Sequence, residues 1–175
     1  MENKLIKLEA LRGFAALYVV FHHLYGYYKP LIIGGVDISI ISKFGTEAVI
    51  IFFILSGFVI SYSFERSKNK SFGLFFAKRF FRIYIPLLFV FVANYIVFYF
   101  KYDSVSIAWA ELVGNLLMLQ DVHREGVHTI VSPFLMNDPL WSLAYEWWFY
   151  MIFFVIITRF KEKSSTIVYS MSTIA

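Results

Sequence analysis

The sequence predicts an all-α, polytopic transmembrane helical bundle with four full spans and a truncated fifth. Three observations predict it. Apolar residues make up 59% of 175 positions and charged residues only 16%, against about 25% charged in soluble domains. Mean hydropathy is +0.67. The apolar residues also fall in runs near the roughly 20 that a helix needs to cross a bilayer. The 21 Phe, 12 Tyr and 4 Trp exclude a disordered chain, which is poor in aromatics. With no Cys, disulfide scaffolds, thiolate zinc sites and thiol nucleophiles are excluded as well.

The first run, Gly13–Tyr28, carries His22 and His23. A cleaved leader is the rival for this stretch, but Tyr27, Tyr28, Lys29 and Pro30 stand where small residues would be needed. Phe44–Phe64 holds one acid, Glu47, near its start. Phe80–Phe100 has Arg82 and Pro86 early in it, and Leu140–Phe160 has Glu146 inside it. Ser165–Ala175 reads as the first half of a fifth span. Val105–Leu119 is shorter, holds Glu111 and reads as an interfacial or re-entrant helix. Gln120–Pro139 is polar, with two prolines, and reads as a surface loop. Asp121, His123 and His128 in that loop read as solvated residues, and no metal is expected.

Orientation follows from the basic residues. With the N-terminus in the cytoplasm and four alternating spans, twelve of the 16 Lys and Arg fall on the cytoplasmic side. Lys29, Lys43, Lys101 and Arg124 fall outside. The net charge of +4 then reflects topology and lipid headgroups, and no nucleic-acid partner is expected.

Ionisable groups inside spans are costly and usually mark function. Arg12 and His23 are 11 residues apart, about 1100° of helix, which puts them on one face about 16.5 Å apart along the axis. His22 points about 100° away. Asp138 is a good N-cap with Pro139 at the first helical position. Ser142 and Glu146, four apart, share a face of the helix that follows. Glu146 lies about 12 Å below that helix's outer end, so a mid-membrane pairing of His23 with Glu146 is allowed by depth. Arg79 and Arg82, three apart, sit at the cytoplasmic mouth of the third span, and arginine forks suit phosphates. Lipid anchoring is the alternative there. Ser56 and Gly57 read as sites of close helix packing. Arg12, His23 and Glu146 alone fit a transporter or channel path as well as an enzyme.

Together these segments resemble the N-terminal half of the membrane acyltransferase-3 family, the bacterial sugar O-acetylases. The resemblance is carried by Leu8-Glu9-Ala10-Leu11-Arg12-Gly13 with His23 after ten intervening residues. It continues through Phe52-Phe53-Ile54-Leu55-Ser56-Gly57-Phe58, then Arg79-Phe80-Phe81-Arg82-Ile83-Tyr84, then the stretch from Pro139 through Trp141, Ser142 and Glu146 to Tyr150. Many members carry an acid before the Phe-Phe pair, where this chain has Ile50 and Ile51. The resemblance implies a bacterial inner-membrane O-acyltransferase moving an acyl group, acetyl by default, from cytoplasmic acyl-CoA to a hydroxyl of a cell-surface or lipid-linked carbohydrate. Acyl-CoA is a co-substrate and no bound cofactor is expected. Arg12, Arg79 and Arg82 would hold the CoA phosphates, and His23 would be the general base. Glu146 would orient its imidazole, and Trp141 and Ser142 would shape the pocket. Residues 1–175 would be the N-terminal part of a single membrane domain, since full members imply about ten spans of roughly 20 residues. A truncated, inactive remnant is the other expectation for such a chain.

Overall fold

In the computed structural model, residues 2–25, 32–102, 104–122 and 129–159 are described. The expected fifth span, Ser165–Ala175, lies outside them. The chain divides into two compact units, one built on Met1–Lys68 and the other on Asn69–Thr158.

In the first unit, α1 (Glu2–Tyr25) packs along α2 (Gly45–Arg66). Small residues make the approach close: Ala15 and Ala48 are buried, and a Cβ on Gly45 would collide with the His22 ring. Between the helices the chain forms a short antiparallel hairpin, β1 (Ile32–Ile33) with β2 (Val36–Asp37). Gly34 and Gly35 turn it with φ of 60° and 81°, a geometry that two-residue hairpin turns demand and glycine adopts without strain. The all-α reading did not anticipate this hairpin. A 3-10 turn, Ser39–Ser42, then leads into α2, and the Asp37 carboxylate accepts the Ser39 N–H at 2.8 Å.

The second unit opens with α3 (Phe72–Tyr102), 31 residues long and so about 46 Å. It begins eight residues before the expected span at Phe80. Pro86 inside it removes the N–H that would reach the Arg82 carbonyl. The short α4 (Trp109–Leu116) has eight residues, about 12 Å, too short to cross a bilayer. Next, α5 (Leu140–Arg159) has 20 residues, about the thickness of the hydrocarbon core. Aromatic rings join α3 to α5: Phe75 to Phe153 at 5.9 Å, Phe72 to Phe154 at 5.0 Å and Tyr84 to Trp147 at 5.1 Å between centroids.

Among the described residues, three helices are long and apolar enough to cross a membrane: Ser39–Arg66, Phe72–Tyr102 and Leu140–Arg159. The expected first span is helical through Tyr25, but the first half of α1 carries Lys4, Lys7, Glu9 and Arg12. It therefore does not join those three.

The Gln120–Pro139 segment is not simply a surface loop. Its residues 123–128 lie outside the described set, but its ends are buried, with Gln120 1% and Phe134 3% exposed. Asn115, wholly buried, organises the turn. Its amide donates to the carbonyls of Glu111 (2.9 Å) and Ser132 (2.8 Å), and its oxygen accepts the Phe134 N–H at 3.0 Å. The Glu111 carboxylate accepts the Leu135 N–H at 2.8 Å. Phe134 then packs on Phe91 of α3 at 4.5 Å. A buried amide with all these bonds satisfied costs little, and one left bare is expensive. That asymmetry fixes the turn.

Candidate active site

The first unit places Arg12 and His22 against α2 and its approach. Arg12 is 6% exposed, its guanidinium lies 5.2 Å from the Phe52 ring centroid, and its Nε has no hydrogen-bond partner. Ser56, one turn beyond Phe52 on α2, is 3% exposed, and its hydroxyl also lacks a partner. A buried donor without a partner is uncommon and calls for a ligand or water. Phe52, under Arg12, and Ser56 are four residues apart and so share a face of α2, and donors of this kind suit an anionic or carbonyl oxygen. Ser56 had been expected only to pack.

His22 and His23 differ in surroundings. The Nδ1 of His22 bonds the Ser42 carbonyl, and its ring fills the space above Gly45. The neighbouring hydroxyl of Tyr18 donates to the Ile41 carbonyl. His22 thus ties α1 to the 3-10 turn. His23, half-buried, meets His22 edge-on at 5.3 Å.

The second unit gathers Arg79, Tyr150 and Glu146. The guanidinium of Arg79 lies between two rings, 5.4 Å from the centroid of Phe75 and 5.0 Å from that of Tyr150. The Tyr150 hydroxyl donates to the Glu146 carboxylate. Tyr150 is 2% exposed. Arg82, by contrast, is exposed, though it and Arg79 both act electrostatically on the Tyr150 hydroxyl. Arg79 sits seven residues into α3, about 10 Å from its start. Tyr150 joins Arg79 to Glu146, and sequence reasoning missed that role. The available signal was its spacing four residues after Glu146, which puts the two on one helix face.

The other expected residues lie nearby in sequence with separate attachments. The Ser142 hydroxyl donates to the Pro139 carbonyl at 3.0 Å. Trp141 meets Tyr145 edge-on at 5.5 Å. His23 belongs to the first unit and Glu146 to the second. Among the described residues no group of three His, Asp or Glu side chains is placed to hold a metal, and His123 and His128 lie outside that set.

An acyltransferase-domain family, Acyl_transf_3, matches residues 5–175. The chain belongs to the acyltransferase-3 family. Acyltransferase MdmB of Streptomyces mycarofaciens is 35% identical over 155 residues, covering 86% of this chain. The chain spans 38% of the length of that relative. No solved structure matches. With family membership and three helices suited to crossing a bilayer, this is an acyltransferase-3 membrane protein.

Proposed function

We propose that the protein is an O-acyltransferase of the bacterial inner membrane. In this reading it takes an acyl group, acetyl by default, from cytoplasmic acyl-CoA. It passes the group to a hydroxyl of a cell-surface or lipid-linked carbohydrate. The observation that carries the proposal is Arg12, buried with an unbonded Nε on the helix face it shares with His23, in a chain of this family.

The neutral His23 imidazole takes the acceptor hydroxyl's proton as its oxygen attacks the thioester carbonyl. The tetrahedral intermediate then expels the CoA thiolate, which takes up a proton. Arg12 and the Ser56 hydroxyl supply donors to the acyl-CoA. Exposed Arg82 meets a CoA phosphate, and its planar fork suits two phosphate oxygens. Tyr150 and Arg79 hold Glu146, whose charge is costly at membrane depth unless paired. Trp141 and Ser142 line the approach to Glu146. The N-terminus is cytoplasmic and Gln120–Pro139 lies outside, following the twelve-to-four split of basic residues.

The test is transfer of radiolabelled acetyl from acetyl-CoA into glycan by membranes containing the full chain. Label in glycan, dependent on the chain and lost with Arg12→Ala, supports the reading. Membranes that incorporate no more label than vector controls contradict it. Orientation is tested separately, because the chain has no Cys of its own. A single cysteine at Asn69 should label only from the cytoplasmic side.

A further inference from the structure

A groove of about 360 Å³ lies in the second unit, between the segment that follows α4 and one side of α5. Met118, Gln120 and Asp121 form one wall, and Tyr145, Trp148 and Ile152 the other. The walls are mostly apolar, but the polar atoms that still have capacity are of one kind. Gln120 is 1% exposed, and its amide nitrogen donates to the Leu140 carbonyl at 3.0 Å. That bond fixes which end of the amide is the donor. Its Oε1 is then a buried acceptor, and it has no hydrogen-bond partner.

Beside it, the Asp121 carboxylate accepts the Val122 N–H at 2.8 Å and the Tyr145 hydroxyl at 3.2 Å. An ionised carboxylate has about four lone-pair sites, so two bonds leave it able to accept more. The donors of the walls are already engaged: the Tyr145 hydroxyl on Asp121, and the Trp148 indole N–H on the Met118 carbonyl at 2.8 Å.

The groove thus offers acceptors and aromatic surface, and it calls for hydroxyl donors carried on an apolar face. An acyl chain of lipid has no donor to give. A sugar ring has both features, with hydroxyls around its edge and a C–H face that lies against aromatic rings. Trp148 is 45% and Tyr145 38% exposed, which leaves ring surface for that contact. We propose that this groove is a saccharide subsite. One sugar ring of the acceptor lies against Trp148 and Tyr145 and donates hydroxyl protons to Gln120 Oε1 and the Asp121 carboxylate. The word acceptor rests on the acyl-transfer reading; the binding of sugar does not.

The experiment uses the full chain, purified in a detergent without a sugar headgroup and carrying Ile130→Cys. Ile130 lines the groove, is 76% exposed and would be the chain's only cysteine. Its rate of maleimide labelling is followed with methyl glycosides of glucose, galactose and N-acetylglucosamine, and with cyclohexanol as the ring without the hydroxyl array. At least one glycoside should slow labelling several-fold and saturably, and cyclohexanol should not. Asp121→Asn should weaken that protection about tenfold, the usual order for a hydrogen bond to a charged group. Ile152→Trp, which fills the groove, should abolish it. Protection by no glycoside, equal protection by cyclohexanol, or protection unchanged in both variants would overturn the proposal. In the acetyl-transfer assay, Asp121→Asn should raise the acceptor KM and leave the acetyl-CoA KM alone. Transfer with an unchanged acceptor KM would remove the subsite and leave the acyltransferase reading standing. Glycoside protection in a chain that transfers nothing would do the reverse.

Discussion

Arg12 and Arg79 are both arginines of apolar helices, and the protein treats them differently. Arg12 lies over a single ring, Phe52; a buried Nε with no hydrogen-bond partner is common to both arginines. Arg79 lies between two rings, and one of them, Tyr150, passes a hydrogen bond to Glu146. The first lies against a face of α2 whose next polar group, the Ser56 hydroxyl, also has no partner. The second lies beside a Tyr150–Glu146 pair whose hydrogen bond is already made. Arginine in a membrane helix is therefore not by itself a mark of binding; what distinguishes the two is how many of its neighbours are already partners.

The contrast is sharpest in stability. Tyr150→Leu removes a buried ring and the hydroxyl on Glu146, and should cost about 3–5 kcal/mol, as large-to-small core changes do. Tyr150→Phe keeps the ring under Arg79 and should cost about 1.5–3 kcal/mol for the lost bond to a charged group. Thermal unfolding in detergent reads both; a Tyr150→Phe protein as stable as the parent would mean that the hydroxyl contributes nothing, and equal losses in the two would mean that the ring contributes nothing.

Arg12→Leu should behave in the opposite way. Replacing a buried, incompletely bonded charge by an apolar side chain is often neutral or stabilising, so the melting temperature should hold or rise. The KM for acyl-CoA should rise by one to two decades, the equivalent of about 1.5–3 kcal/mol. Arg82→Ala should raise that KM in the same direction, whereas Arg79→Leu should mainly lower stability. If Arg12→Leu destabilised the protein as Arg79→Leu does, the distinction between the two arginines would collapse.

Gly45→Ala tests the other half of the α1–α2 contact. The added Cβ meets the His22 ring, so α1 must shift, at about 1–3 kcal/mol for overpacking. Gly45→Ala combined with His22→Ala should recover part of that loss.

The smallest effect is at Asp37. Its carboxyl is held below the usual carboxylate range by the side-chain and backbone hydrogen bonds of Ser39. A depressed folded pKa gives stability that is present above the unfolded value, about 3.9, and lost as pH falls through the folded value. Unfolding temperature measured from pH 6 downward should therefore fall slightly more steeply below pH ~4 in the parent than in Asp37→Asn. Parallel curves would show that the turn does not depend on the charge.

What was legible in the sequence was local. Helical periodicity alone put Arg12 with His23 on one face and Glu146 with Ser142 on another, because those relations need only the geometry of one helix. The apolar runs gave α2, α3 and α5 for the same reason. The Arg79–Tyr150 contact joins α3 to α5 across some seventy residues of chain, and no single-helix pattern encodes it. Gln120 escaped notice because a polar residue in a polar stretch looks solvated, and Asn115 because a single amide in a short apolar helix carries no sign of its distant partners. Their burial follows from tertiary bonds to Ser132, Phe134 and Leu140. The Gly34-Gly35 hairpin was readable, since two glycines between Ile-Ile and Val-Asp are a turn signal, and it was missed among the membrane runs.

His23 is the proposed base, and its neighbour supplies the control. His22 and His23 are adjacent, but His22 is tied to the Ser42 carbonyl and packed on Gly45, while His23 shares the Arg12 face. The measurement is glycan acylation in cells making the full chain, normalised to the amount of protein in the membrane, for His23→Gln against His22→Gln. An amide cannot take the acceptor proton, so His23→Gln should reduce transfer by about 10²–10⁴-fold. His22→Gln should lower the protein level more than the rate per molecule. Equal loss of rate in both, or selective loss at His22, would contradict the assignment of the base.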